Sequence, residues 1–126
     1  MSGAVDVIAP ATRGTLDRTL YVAISRLLAP KEQLAAQLPA HLEFMIGLEA
    51  RGVLFASGPS FAPDGIGTGA GLTIVRAGSL DQARAILDQD PFVVAGLRTF
   101  DPHEWHLMEG ALQLTVLASQ QRGLVP

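Results

Sequence analysis

LTIVRAGSLDQARAILDQDPFVVAGL, residues 72–97, holds the punctuation from which the fold can be read. Leu72 to Arg76 is a short β-branched run, which predicts a strand. Ser79 then opens SLDQ, a capping box: the serine side chain can accept from the third helical N–H, and Gln82 can reach back. Leu80, Ala83, Ile86 and Leu87 recur at helical spacing, so the helix is expected to reach about Gln89. Asp90-Pro91 follows, then the apolar run FVVA, then Gly96. Aspartate caps well, proline suits the first helical position and glycine suits the stop. Asp90 therefore has a structural reading, as the cap of one helical turn. It also falls four residues after Ile86, so a continuing helix would add it to the apolar face.

Working outward gives the remaining elements. Arg18 to Leu28, RTLYVAISRLL, is β-branched and aromatic at its centre and predicts a buried strand. Pro30 opens a helical stretch to Ala50, stopped by Gly52; Pro39 should kink it or start its second half. Val53 to Ser57 predicts a strand. GPSFAPDGIGTGAG, residues 58–71, reads as a long turn-rich connection of a hairpin. Leu97 to Met108 predicts the last long strand, interrupted near Asp101-Pro102. Leu112 to Ser119 could add an edge strand, and QQRGLVP reads as a frayed tail. The order is strand, helix, strand, strand, helix, strand. Right-handed crossovers turn that into an α+β, ferredoxin-like βαββαβ sandwich: a four-stranded antiparallel sheet with two helices on one face. The strands are apolar on both sides, and a second subunit is the simplest cover for the other face.

Composition narrows the function classes. The chain has 126 residues, fits one domain and can bury a core without staples. It is 48% apolar and 17% charged with net charge −3 and no basic stripe, which argues against nucleic acid and anionic membrane as partners. With no cysteine there is no disulfide, thiolate metal site or cysteine nucleophile. No apolar run reaches membrane-spanning length, and the N-terminus lacks a basic start followed by an apolar stretch. A cytoplasmic protein is the expectation.

The first helix carries Leu34, Leu38, His41, Leu42, Met45 and Leu48 on one face. Both helices pack on the same side of the sheet, so His41 and Asp90 can approach each other in an apolar setting. A carboxylate accepting the histidine N–H fixes the tautomer and favours the protonated ring, and such a pair can move a proton on a small substrate. The alternative is a satisfied core histidine beside a cap, and the two readings are compatible.

Together these residues resemble a family. HLEFMIGLEARGVLFASGP, a glycine-containing loop, SLDQARAILDQDPFVVAGL and a strand with Trp105 resemble the YciI-like (YCII-related) proteins. The matching points are His41, Gly52, Gly58-Pro59, Asp64-Gly65, Ala83, Asp90-Pro91-Phe92, Ala95-Gly96 and Trp105, spread over residues 20 to 110. The resemblance implies a dimeric α/β-barrel with a pocket near a His–Asp pair, here His41 and Asp90. One branch of that family acts as a dehydrochlorinase on chlorinated hydroxyhydroquinone. Three features depart from its simplest members: the N-terminal arm, Pro39, and the segment after Gly110. The expected organisation is a flexible arm over 1–16, one YciI-like domain over 17–119 and a tail over 120–126.

The expected pocket lining is Ser57, Gly58, Pro59, Phe92, Arg98 and Trp105. Phe92 and Trp105 are most simply core or dimer-contact residues, and as a second role can wall a cyclic ligand. Arg98 can bind a ligand carboxylate or form a surface ion pair. DPHEWH, residues 101–106, puts only two ligand-type residues on each strand face, too few for a closed metal site, so no metal is expected. GIGTGAG, residues 65–71, precedes a strand and lacks GK[ST], so it reads as a flexible hairpin loop and not a nucleotide loop; the resemblance places it near the pair. Ser57 and Ser60 lack the GxSxG setting of a nucleophile. The sequence leaves three readings. The first is a cofactor-independent lyase or isomerase acting on a small cyclic or aromatic compound through His41 and Asp90. The second is a homodimeric, or higher oligomeric, protein that binds a small organic ligand without turnover. The third is an accessory module in which the pair only ties two helices together.

Overall fold

The computed structural model of the chain describes residues 17–113, 115–117 and 122–124. The expected arm over 1–16 lies outside the described residues. Thr19–His106 form one compact unit, and the described part of the remainder belongs to a second.

The first unit opens with β1, Arg18–Leu27. Tyr21, Ala23 and Ser25 are buried while Ile24 and Arg26 are exposed, the two-residue period of a strand covered on one face. After Pro30 comes a 3-10 helix, Lys31–Gln37, and then α1, Leu38–Ala50. Pro39 lies at the start of α1, where its missing N–H is harmless, so the proline restarts the helix instead of kinking it. Gly52, at φ +73°, ends α1. Its N–H donates to the Glu49 carbonyl at 3.1 Å, and Val53 N–H to Leu48 at 2.9 Å, the paired bonds of a Schellman stop.

β2, Leu54–Phe61, and β3, Gly67–Val75, pair antiparallel, with register points Ser57 with Thr73 and Phe61 with Gly67. The connection is therefore residues 62–66, not the long loop over 58–71 that the sequence led us to expect. Glycine and proline there count as breakers by composition, yet each has a place in the ladder. Pro59 sits on an edge strand. A Cβ on Gly71 would overlap the Gly58 carbonyl oxygen, so glycine permits the close crossing. Two irregularities in β2, between Leu54 and Ala56 and between Pro59 and Phe61, absorb the mismatch.

Ser79 caps α2, Leu80–Leu87, accepting from Gln82 N–H at 3.1 Å, while the Gln82 side chain accepts from Gly78 N–H. The serine half of the capping box forms as expected, the glutamine reaches one residue further back than the N-cap, and α2 stops two residues short of Gln89. Asp90 then caps a separate turn, α3, Pro91–Val94. β4, Arg98–Leu107, runs through Pro102 without the expected break. It is an edge strand, where a missing N–H need not cost a ladder bond.

The strand order β2-β3-β1-β4 is that of a ferredoxin-like α+β sandwich with a four-stranded antiparallel sheet. The helices pack on one face. Ala83 and Leu87 of α2 bury against Tyr21, Ala23, Val75 and Phe100 of the sheet, and Leu48 of α1 is also fully buried. Full burial of one such leucine contributes about 1.5–3 kcal/mol.

In the second unit, β5, Thr115–Leu117, pairs antiparallel with β6, Arg122–Leu124. The strand expected over Leu112–Ser119 is thus shorter and forms its own two-stranded sheet, and the segment expected to fray contributes the partner. Among the described residues, no helix is long and apolar enough to cross a membrane.

Candidate active site

Asp90 and His41 meet. The Asp90 cap geometry fixes its carboxylate, whose Oδ1 accepts from Phe92 N–H at 2.9 Å. His41 Nδ1, from the first turn of α1, lies 2.9 Å from both Asp90 oxygens. Asp90 is completely buried, and the His41 side chain is 14% exposed. The choice between cap and partner posed by the sequence has both answers, because one carboxylate has enough acceptor positions for both donors. A carboxylate only accepts, so Nδ1 carries a proton toward it. Nε2 is then the nitrogen free to give or take a proton.

Phe92 fixes the imidazole from a third direction. Its ring stacks on His41 with centroids 4.2 Å apart and planes 18° apart, and it is itself buried. The Arg98 guanidinium stands 4.6 Å from the centroid of the same ring. Gly96, at φ +74°, makes the turn that carries the chain from α3 into β4 and so to Arg98. Leu97 N–H donates to Phe92 and Gly96 N–H to Val93, both at 2.9 Å, a second Schellman stop. Burial pulls the Arg98 pKa below its ordinary value, and the nearby Asp90 carboxylate offsets part of this.

A cavity of about 730 Å³ opens beside the pair. This volume lies in the range of small-molecule sites. The helical layer contributes Leu34, Leu38, His41, Leu42 and Met45, and the sheet contributes Ser25, Ser57 and Thr73. Gly58, Pro59, Phe92 and Arg98 complete the expected lining, while Asp90 lies behind His41 and does not reach the wall. Ser57 Oγ and Thr73 Oγ1 hydrogen-bond to each other at 3.0 Å. Leu38 and Leu42 are 44% and 48% exposed, because the apolar stripe of α1 is wider than the core needs and its surplus walls the cavity.

Trp105 is a correction. It does not line the cavity and is 37% exposed. Strand alternation explains this: Arg98 and Phe100 share the helix-covered face of β4, and an odd-numbered residue seven positions after Arg98 points to the other. The same alternation pairs the rest of DPHEWH within each face. His103 lies 3.2 Å from Asp101, and His106 2.9 Å from Glu104. Among the described residues no group of three or more ligand-type side chains is placed to hold a metal.

Sequence reasoning missed Lys31 and the role of the glycines. Gly67, Gly69 and Gly71 all line the cavity from β3. A Cβ on Gly69 would stand 2.6 Å from Leu27 Cδ1 and 2.9 Å from Lys31 Cβ, at φ +82°. The two-residue spacing of the glycines was the available signal, since it is a strand period and not a loop pattern.

Comparison with known proteins agrees with this architecture. A solved 5-chloro-2-hydroxyhydroquinone dehydrochlorinase from Burkholderia phenoliruptrix AC1100, in complex with 2,5-dihydroxybenzoquinone, is similar at 22% identity and a TM-score of 0.54. The likeness covers 68% of this chain and 92% of that one, and it is a likeness of fold. Comparison with curated proteins gives no match. The family model for the YCII-related domain matches residues 19–102, and the chain belongs to that family.

Proposed function

We propose that this YCII-related protein is a cofactor-independent lyase or isomerase acting on a small cyclic or aromatic compound. His41 is its general acid–base and Asp90 its positioning partner. The observation that carries the reading is the orientation of His41. Its Nδ1 is held by a buried carboxylate, its ring forms part of a cavity wall, and Nε2 has no partner among the described residues. A neutral imidazole so held takes a proton from a ring O–H or C–H at Nε2. The Asp90 carboxylate stabilises the imidazolium that results. In a lyase step the electron pair left behind forms a new π bond as the leaving group departs with its own bonding pair. In an isomerase step His41 returns the proton to a different atom. The dehydrochlorinase that shares this fold catalyses a reaction of the first type, which supports the reading without assigning its substrate here. We also place a second copy of the chain against the sheet face opposite the helices, where Ile24 is 57% exposed.

The test is turnover of 5-chloro-2-hydroxyhydroquinone and related hydroxylated ring compounds, followed by absorbance and by chloride or product release. Turnover that is lost in His41→Ala, with circular dichroism unchanged, is the expected result. Saturable binding with no turnover would make the protein a binding module. Equal turnover in His41→Ala would end the proposal.

A further inference from the structure

We propose that the substrate of this cavity is a ring compound bearing a carboxylate, and that Arg98, assisted by Lys31, selects it. This rests on the cavity being the reaction site, as argued above. Arg98 lines the cavity and is oriented without an acidic partner. Its Nη2 donates to the Gly69 carbonyl at 2.6 Å, and its plane stands over Phe92. Nε is buried and has no hydrogen-bond partner, and the guanidinium makes no ion pair among the described residues. A half-buried cation with a buried donor left over is better satisfied when an anion completes it.

Lys31 repeats the arrangement. It lines the cavity, and its Nζ donates to the Gly67 carbonyl at 2.8 Å. The two anchoring carbonyls are two residues apart on β3, about 7 Å of strand, so both cations stand at one end of the cavity. Glu32 is the only carboxylate on the wall among the described residues. It pairs with neither cation, while Asp90 is engaged behind His41. Much of the remaining wall is apolar, as a ring requires. His41 and Arg98 both pack against Phe92 and both line the cavity, so a carboxylate held by the guanidinium belongs to a molecule that shares the cavity with the imidazole. A planar carboxylate matches the guanidinium fork better than a tetrahedral, more highly charged phosphate, whose second charge would face Glu32 and Asp90.

The experiment is a calorimetric titration of the full chain with benzoate and 4-hydroxybenzoate against their neutral isosteres, benzamide and 4-hydroxybenzamide. The carboxylates are expected to bind more tightly, with affinity falling as salt rises. Arg98→Met should weaken the carboxylates about ten- to a hundredfold and leave the amides unchanged, the loss of a charge-assisted contact. Arg98→Lys, which keeps the charge without the fork, should fall between, and Lys31→Met should show a smaller loss. Equal binding of acid and amide, or a preference that survives in Arg98→Met, overturns the proposal. So does binding of neutral hydroxyquinones without any binding of the acids. His41→Gln separates the two ideas. If it keeps the carboxylate preference but turns over the ring panel at the parent rate, the catalytic reading fails and this one stands.

Discussion

Replacing Asp90 by alanine or by asparagine separates its two tasks, and the structure sets the expected sizes. Alanine removes both. The loss of an N-cap costs about 1 kcal/mol. It leaves Phe92 N–H and His41 Nδ1–H, both now bound at 2.9 Å, without their acceptor. A buried donor left unpaired costs about 1–3 kcal/mol. The Asp90→Ala loss should therefore total about 2–4 kcal/mol, since His41 retains some access to water. Asparagine keeps an oxygen for Phe92 N–H and caps about as well as aspartate, and its amide can donate to Nδ1 once the ring changes tautomer. Asp90→Asn should cost no more than about 1 kcal/mol. For a domain of this size 1 kcal/mol moves the midpoint by roughly 4 °C, so thermal or urea unfolding resolves the two variants easily. Activity should behave differently. Asparagine leaves Nε2 protonated, which is the wrong tautomer for a base, so turnover should fall by about 10²–10⁴ even though the fold is kept. Equal destabilisation by Asn and Ala, or an Asn variant with parent activity, would refute this separation of the capping task from the histidine contact.

Two further outcomes follow from the cavity wall. Gly69→Ala forces a Cβ against Leu27 and Lys31 at a positive φ, so unfolding should show a loss of about 1–3 kcal/mol, and Lys31 should no longer sit over the Gly67 carbonyl. Trp105→Ala should leave ligand affinity in the cavity unchanged within about twofold, because Trp105 lies on the sheet face away from it; a tenfold loss measured by titration would contradict that placement.

Much of the fold was legible because its punctuation is chemical. Ser79 with Gln82, Asp90 with Pro91, and Gly96 each mark a boundary through a specific hydrogen bond or dihedral, and each does so in the structure. The His41–Asp90 encounter was legible because both residues lie on helical elements that cover the same sheet face. What was not legible depended on tertiary neighbours. Gly69 and Gly71 look like loop residues until their neighbours are in place, Leu27 and Lys31 against the first and β2 against the second, when the absence of a side chain becomes the condition for close approach. Lys31 carries no local signal, since only the fold brings its ammonium to a carbonyl 36 residues away. Trp105 misled because the strand was expected to break near Asp101-Pro102, whereas the unbroken β4 carries strand parity from Arg98 to Trp105 and puts the two on opposite faces.

The account turns on one atom, His41 Nε2, being the bare nitrogen of the neutral ring. Its tautomer can be read from long-range ¹⁵N–¹H correlations in histidine-labelled protein, with His41→Gln assigning the signal among the three histidines. The account predicts a proton on Nδ1 and none on Nε2 in the parent, and a shift toward the Nε2–H form in Asp90→Asn. A parent ring already protonated on Nε2, or one that does not respond to Asp90→Asn, would contradict it.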